Sequence, residues 1–114
     1  LTTGDELVPP GRAAGPDQIH DAAGPALAAF VSGHGGIALR LTPTGDQDAA
    51  IGETVRAQPF DLLVTIGGAS VGDHDRVKPA LTAIGAILHL EGVAMRPGRP
   101  VWFAVLADGT PVLG

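Results

Sequence analysis

The sequence predicts an α/β domain, a three-layer αβα sandwich built on a mixed, mostly parallel sheet. Three observations carry that expectation. Short apolar stretches alternate along the chain with segments whose apolar residues recur at helical spacing. Residues 61–66 are apolar at nearly every position, as a strand covered on both faces must be. Loops rich in glycine and proline follow the strands, at the edge where ligands bind to such sheets.

The elements follow in order. Leu1-Thr2-Thr3 reads as the end of a strand, and residues 4–18 as a long Gly/Pro-rich loop. Asp21 is placed to cap a first helix carrying Leu27, Phe30 and Val31 on one face, with Pro25 in its first turn and Gly33, Gly35 and Gly36 ending it. Ile37, Leu39 and Leu41 alternate as in a strand. Asp46 can cap a second helix, with Ala50, Ile51 and Val55 on one side, that stops before Pro59. After the strand at residues 61–66, Val77, Leu81 and Ile84 mark a third helix closed by Gly85. Residues 86–90 and 101–106 read as strands, and Asp108-Gly109 turns the chain back through Pro111-Val112-Leu113 as a hairpin. Right-handed crossovers then bring the loops after the strands to one carboxyl edge.

Composition narrows the function. The chain has 114 residues, of which 45% are hydrophobic, enough for one core. Twelve acids against seven bases give a net charge of −5, which argues against nucleic acid as a partner. No apolar run approaches the roughly 20 residues that span a bilayer, and no signal-peptide pattern is present. The absence of cysteine excludes disulfides and thiolate metal sites and fits the reducing cytoplasm. The four histidines, His20, His34, His74 and His89, lack zinc-site spacing. The chain starts at Leu1 and ends at Gly114, and reads as a piece of a longer protein.

Three loops carry the chemistry. Gly67, Gly68 and Ser70, just after a strand, offer backbone amides and a hydroxyl that suit a phosphate. A lone Gly-Gly is more often a tight turn, about three to one. Asp73 and Asp75 flank His74. As hard oxygen donors they suit Mg²⁺, and each also suffices as a helix cap. Asp5 and Glu6 end the first strand, where a metal or general-base role stands beside simple solvated charge. Arg96 and Arg99 flank Pro97-Gly98, a stiff turn with two guanidiniums able to grip phosphate oxygens bidentately.

Taken together, TGDEL (residues 3–7), GPDQIHD (15–21), TIGGASVGDHD (65–75) and GVAMRPGRP (92–100) resemble, in order and spacing, the molybdopterin molybdenumtransferase family, the MoeA-type proteins related to the gephyrin E domain. The resemblance covers essentially the whole chain. It implies that residues 1–114 form a molybdopterin-binding domain, truncated at both ends. It further implies a reaction in which adenylylated molybdopterin loses AMP as molybdate is inserted, assisted by Mg²⁺, in a full-length homodimer. The family's acidic positions fall on Glu6, Asp46 and Asp75, as catalytic residues and metal ligands. Its cofactor-binding positions fall on Thr3, Gly4, Asp5, Gly67, Gly68, Ser70, Gly72, Arg96, Gly98 and Arg99.

The chain also departs from the family. Asp21-Ala22-Ala23 stands where Asp-Ser-Asn is usual, arginines replace common lysines in the MRPGRP loop, and the sequence stops where LPGNP would follow. The isolated chain is therefore expected to be inactive or nearly so, while able to bind pterin. The nearest alternatives are the MogA-type molybdopterin adenylyltransferase and a non-catalytic molybdopterin-binding scaffold. A damage-inducible competence-type protein with the same domain ranks below both.

Overall fold

The computed structural model describes residues 1–41, 47–67 and 76–114. In chain order the elements are β1 (Leu7–Val8), β2 (Ile19–His20), α1 (Ala23–Gly33), α2 (Asp48–Arg56), β3 (Leu63–Val64), α3 (Val77–Ala83), β4 (Ile87–Glu91), β5 (Trp102–Val105) and β6 (Pro111–Leu113). The main sheet has the order β3-β6-β5-β4. β3 pairs with β6 in parallel, while β5 runs antiparallel to both β6 and β4. Beyond β3 the first residues of the chain add a parallel bridge from Thr2 to Ile66. The sheet is mixed, as expected. Among the described residues no helix is long and apolar enough to cross a membrane.

Alternation along the strands sorts the sheet into two faces. Leu63, Ala104, Trp102 and Val112 meet Ile51 and Val55 of α2 and Val77, Ala80 and Leu81 of α3, and all are buried. This face is the core. Leu62, Val64 and Ile66 alternate with Leu63 and Thr65, so they point the other way. They line a groove of about 600 Å³ with Leu27, Ala28 and Val31 of α1. No residue of α1 is fully buried, and Phe30 is 62% exposed.

The ends of α1 and α3 follow from local chemistry. Ala86 N–H donates to Leu81 C=O and Gly85 N–H to Thr82 C=O, the paired bonds that close α3 as Gly85 was expected to do. Gly36 N–H to Val31 C=O and Gly35 N–H to Ser32 C=O close α1 in the same way. At its start Asp21 lies one residue before the flanking residue Ala22, yet its Oδ1 still accepts the Gly24 N–H at 2.8 Å. The hairpin forms as expected: Gly109 N–H donates to Leu106 C=O at 2.9 Å, and Asp108 Oδ1 accepts Thr110 N–H at 2.9 Å.

Two expectations need correction. The strand predicted at Ile37, Leu39 and Leu41 does not form. Ile37 is 99% exposed, and of the three only Leu41 packs against the core. Both edges of β3 are already taken, by β6 and by residues 1–3, and so short a segment offers few free N–H and C=O groups for another strand. Alternation alone could not supply the missing partner. Residues 4–18, read as one loop, instead contain β1, which pairs in parallel with β2 through Leu7 with Ile19 and Val8 with His20.

Candidate functional site

β4 and β6 both run antiparallel to β5, and β3 runs parallel to β6. Hence β3, β4 and the opening segment all point the same way. The loops that leave them, after Thr3, after Ile66 and after Glu91, emerge at one carboxyl rim. This is the placement the sequence required of them.

The first two loops touch. Ile66 N–H donates to Leu1 C=O at 2.9 Å and Thr3 N–H to Ile66 C=O at 3.1 Å, zipping the two chain segments together up to the rim. There Gly67 turns away with φ +95°. A Cβ on it would stand 2.6 Å from the Thr3 carbonyl oxygen and 2.9 Å from the Thr3 hydroxyl. Only glycine lets the two backbones approach so closely. Thr3 is buried beneath this contact, whereas Gly67 is exposed.

The TGDEL segment turns immediately afterwards, with Leu7 N–H bonded to Gly4 C=O at 3.0 Å. The Glu6 carboxylate folds back over Gly4, so a Cβ there would lie 2.5 Å from Glu6 Oε2. Asp5 and Glu6 are exposed at the corner of this turn. Thr3, Gly4, Glu6 and Gly67 therefore form one contiguous group.

The MRPGRP loop is held by its own backbone. Gly92 N–H donates to Val101 C=O, Val93 N–H to Arg99 C=O and Val101 N–H to Gly98 C=O, at 2.9, 3.0 and 3.2 Å. Arg96 and Arg99 project from it, both exposed, and among the described residues neither forms an ion pair. The strand order separates this loop from Glu6 along the rim. Four inter-strand steps lie between β4 and residues 1–3, about 19 Å at 4.8 Å each. Acid and guanidiniums thus share an edge without touching. An extended anionic molecule laid along that edge could reach both.

Asp46, Gly68, Ser70, Gly72 and Asp75 lie outside the described residues. Among the described residues no cluster of three His, Asp or Glu side chains could hold a metal. Of the described histidines, His20 Nε2 is 2.8 Å from Arg12 C=O, His34 Nδ1 is 2.8 Å from Phe30 C=O, and His89 lies beside Phe103.

Sequence reasoning placed Asp21 only as a helix cap. Its Oδ2 also accepts the Thr2 hydroxyl at 3.0 Å and the Arg40 guanidinium at 3.1 Å. Burial pushes the carboxyl pKa up. The Gly24 N–H, the Thr2 hydroxyl and Arg40 outweigh burial and hold it below its ordinary value. Only the Gly24 bond had a local signal. The other two partners are 19 residues away on either side.

Comparison with known proteins adds independent findings. The family model described as a probable molybdopterin binding domain matches residues 1–114. A molybdopterin molybdenumtransferase of Nostoc sp. is 39% identical over 91% of this chain and 24% of its own length. Molybdopterin molybdenumtransferase 2 of Mycobacterium tuberculosis is 33% identical over 99% of this chain and 29% of its own. The crystal structure of the molybdopterin biosynthesis moea protein from Pyrococcus horikosii superposes with a TM-score of 0.85 at 30% identity, covering 99% of this chain and 28% of that one. The chain thus spans 24–29% of the length of these relatives.

Proposed function

Because the chain belongs to the molybdopterin-binding domain family, we propose that the whole protein works in molybdenum cofactor biosynthesis, inserting molybdate into adenylylated molybdopterin with release of AMP. The observation that carries this reading is the shared rim. Thr3 abuts Gly67 at one end, with Glu6 folded over the adjacent Gly4, and Arg96 and Arg99 stand on the same edge. Adenylylated molybdopterin is extended and carries its phosphates between pterin and adenosine, so it suits a rim with separated anchoring points.

In this reading the amides at Gly67 and Gly68, the Ser70 hydroxyl and the Thr3-Gly4-Asp5 turn receive the pterin phosphate, with Gly72 and Gly98 shaping their loops. Arg96 and Arg99, farther along the rim, draw the anionic substrate to that edge by charge. Glu6, Asp46 and Asp75 offer only hard carboxylate oxygens, a donor set that fits Mg²⁺. Bound there, the ion supplies charge neutralisation for the departing AMP. Glu6 is exposed at the rim, so its carboxylate is accessible to both ion and substrate. A homodimeric, cytoplasmic protein completes the proposal.

The test uses the full-length protein with adenylylated molybdopterin and molybdate. AMP release coupled to molybdate uptake is expected, and Asp75→Asn or Glu6→Gln should lower kcat by about 10²-fold or more. Consumption of ATP to form adenylylated molybdopterin would establish the adenylyltransferase instead. Molybdopterin binding with neither activity would leave a binding scaffold, and unchanged turnover in both variants would remove Glu6 and Asp75 from the reaction.

A further inference from the structure

The Asp21 side chain is almost wholly enclosed, 3% exposed, and it joins segments a helix cap has no need to reach. Oδ1 takes the Gly24 N–H, while Oδ2 takes both the Thr2 hydroxyl and the Arg40 guanidinium. Its own backbone N–H donates to Val8 C=O at 3.0 Å, and Ile19 N–H donates to Glu6 C=O at 2.8 Å. Thr2 directly precedes the rim turn, and Val8 closely follows it. One residue is thereby tied to both flanks of residues 3–7.

We infer that Asp21 is a positioning residue for Glu6: it bonds Thr2 through its carboxylate and Val8 through its backbone, and so fixes both ends of the turn carrying Thr3, Gly4 and Glu6. Arg40 provides the countercharge that lets a carboxylate stay ionised at this depth. A group acting only as a cap would leave the rim turn indifferent to its loss. Here the Thr2 hydroxyl would lose its partner one residue before Thr3, which in turn seats Gly67. Glu6 itself makes no contact with Asp21 in this scheme and acts through the shared backbone.

The inference has one arm that is independent of the reaction and one that rests on the proposed function. In the full-length protein, Asp21→Ala should quicken amide exchange at Thr3, Leu7 and Ile19 by about tenfold or more, leaving Trp102 and Ile51 unchanged. Thr2→Val, a milder change, should give the same pattern at smaller amplitude and decides the matter if Asp21→Ala does not fold. Exchange that is unchanged, or that quickens equally at Trp102 and Ile51, overturns the idea. In the kinetic arm Asp21→Ala should reduce kcat/KM about 10- to 100-fold, and Asp21→Asn, which keeps one of the two acceptor oxygens, should recover part of the loss. Introduced beside Glu6→Gln, Asp21→Ala should cost less than about threefold more. Losses that multiply would overturn a shared route through Glu6. A wild-type protein that inserts no molybdate would defeat the proposed reaction, and the exchange arm would still judge the clamp.

Discussion

Gly67 shows how a single missing Cβ decides local structure. Alanine there would meet both a left-handed backbone and the Thr3 carbonyl, so Gly67→Ala should destabilise the protein by about 1–3 kcal/mol, read by chemical denaturation. A smaller loss would mean that the two loops part at little cost. Asp21 makes a second prediction, in acid. Its folded pKa is depressed, so the stability it contributes is complete above its ordinary value of 3.8 and lost as pH falls below that toward the folded value. Asp21→Asn should flatten stability against pH in that window, measured as unfolding free energy from pH 5 downward. The sequence made Gly67 and the Gly24 cap legible because each is a local rule of backbone geometry. It could not reveal Thr2 and Arg40 as partners of Asp21, since hydrogen bonds across 19 residues leave no periodic trace.

Helices α1 and α3 were both read from apolar spacing, yet they differ in what they bury. Leu81 is 1% exposed between α2 and the sheet, so Leu81→Ala should cost about 2–5 kcal/mol. Phe30, expected on the packed face of α1, is largely solvated and touches the His34 ring, so Phe30→Ala should change stability by less than about 0.5 kcal/mol. Thermal or denaturant unfolding distinguishes the two, and equal losses would mean that α1 is packed as tightly as α3. Spacing identifies which side of a helix is apolar without saying how much lies against it. The same limit explains residues 37–41, where alternation was read correctly and a pairing edge was lacking. Strands β5 and β6 were legible because hairpin chemistry at Asp108-Gly109 fixes neighbours that are close in sequence.

For the molecule as a whole, the carboxyl rim was deducible from strand direction, and its layout was not. The sequence brought Glu6, Gly67 and Arg96 to one edge, and strand order then separated the arginine loop from Glu6 by about 19 Å. Under the proposed function, that separation gives the arginines the task of substrate capture. Arg96→Ala and Arg99→Ala in the full-length protein should each raise KM for adenylylated molybdopterin about tenfold with little change in kcat, and weaken the dependence of KM on salt. A loss confined to kcat would place a guanidinium at the reacting phosphate instead.

The pairing of Thr2 with Ile66 has a kinetic corollary. It joins positions far apart in the chain, so its loop-closure entropy must be met before any contact there is rewarded. The hairpin of β5 and β6 faces no such delay. The functional edge is therefore expected to assemble late in refolding, after the hairpin and the helix pair have formed. Weakening Thr2 should accordingly hasten unfolding while leaving the folding rate almost untouched, and a matching drop in folding rate would place this junction in the nucleus.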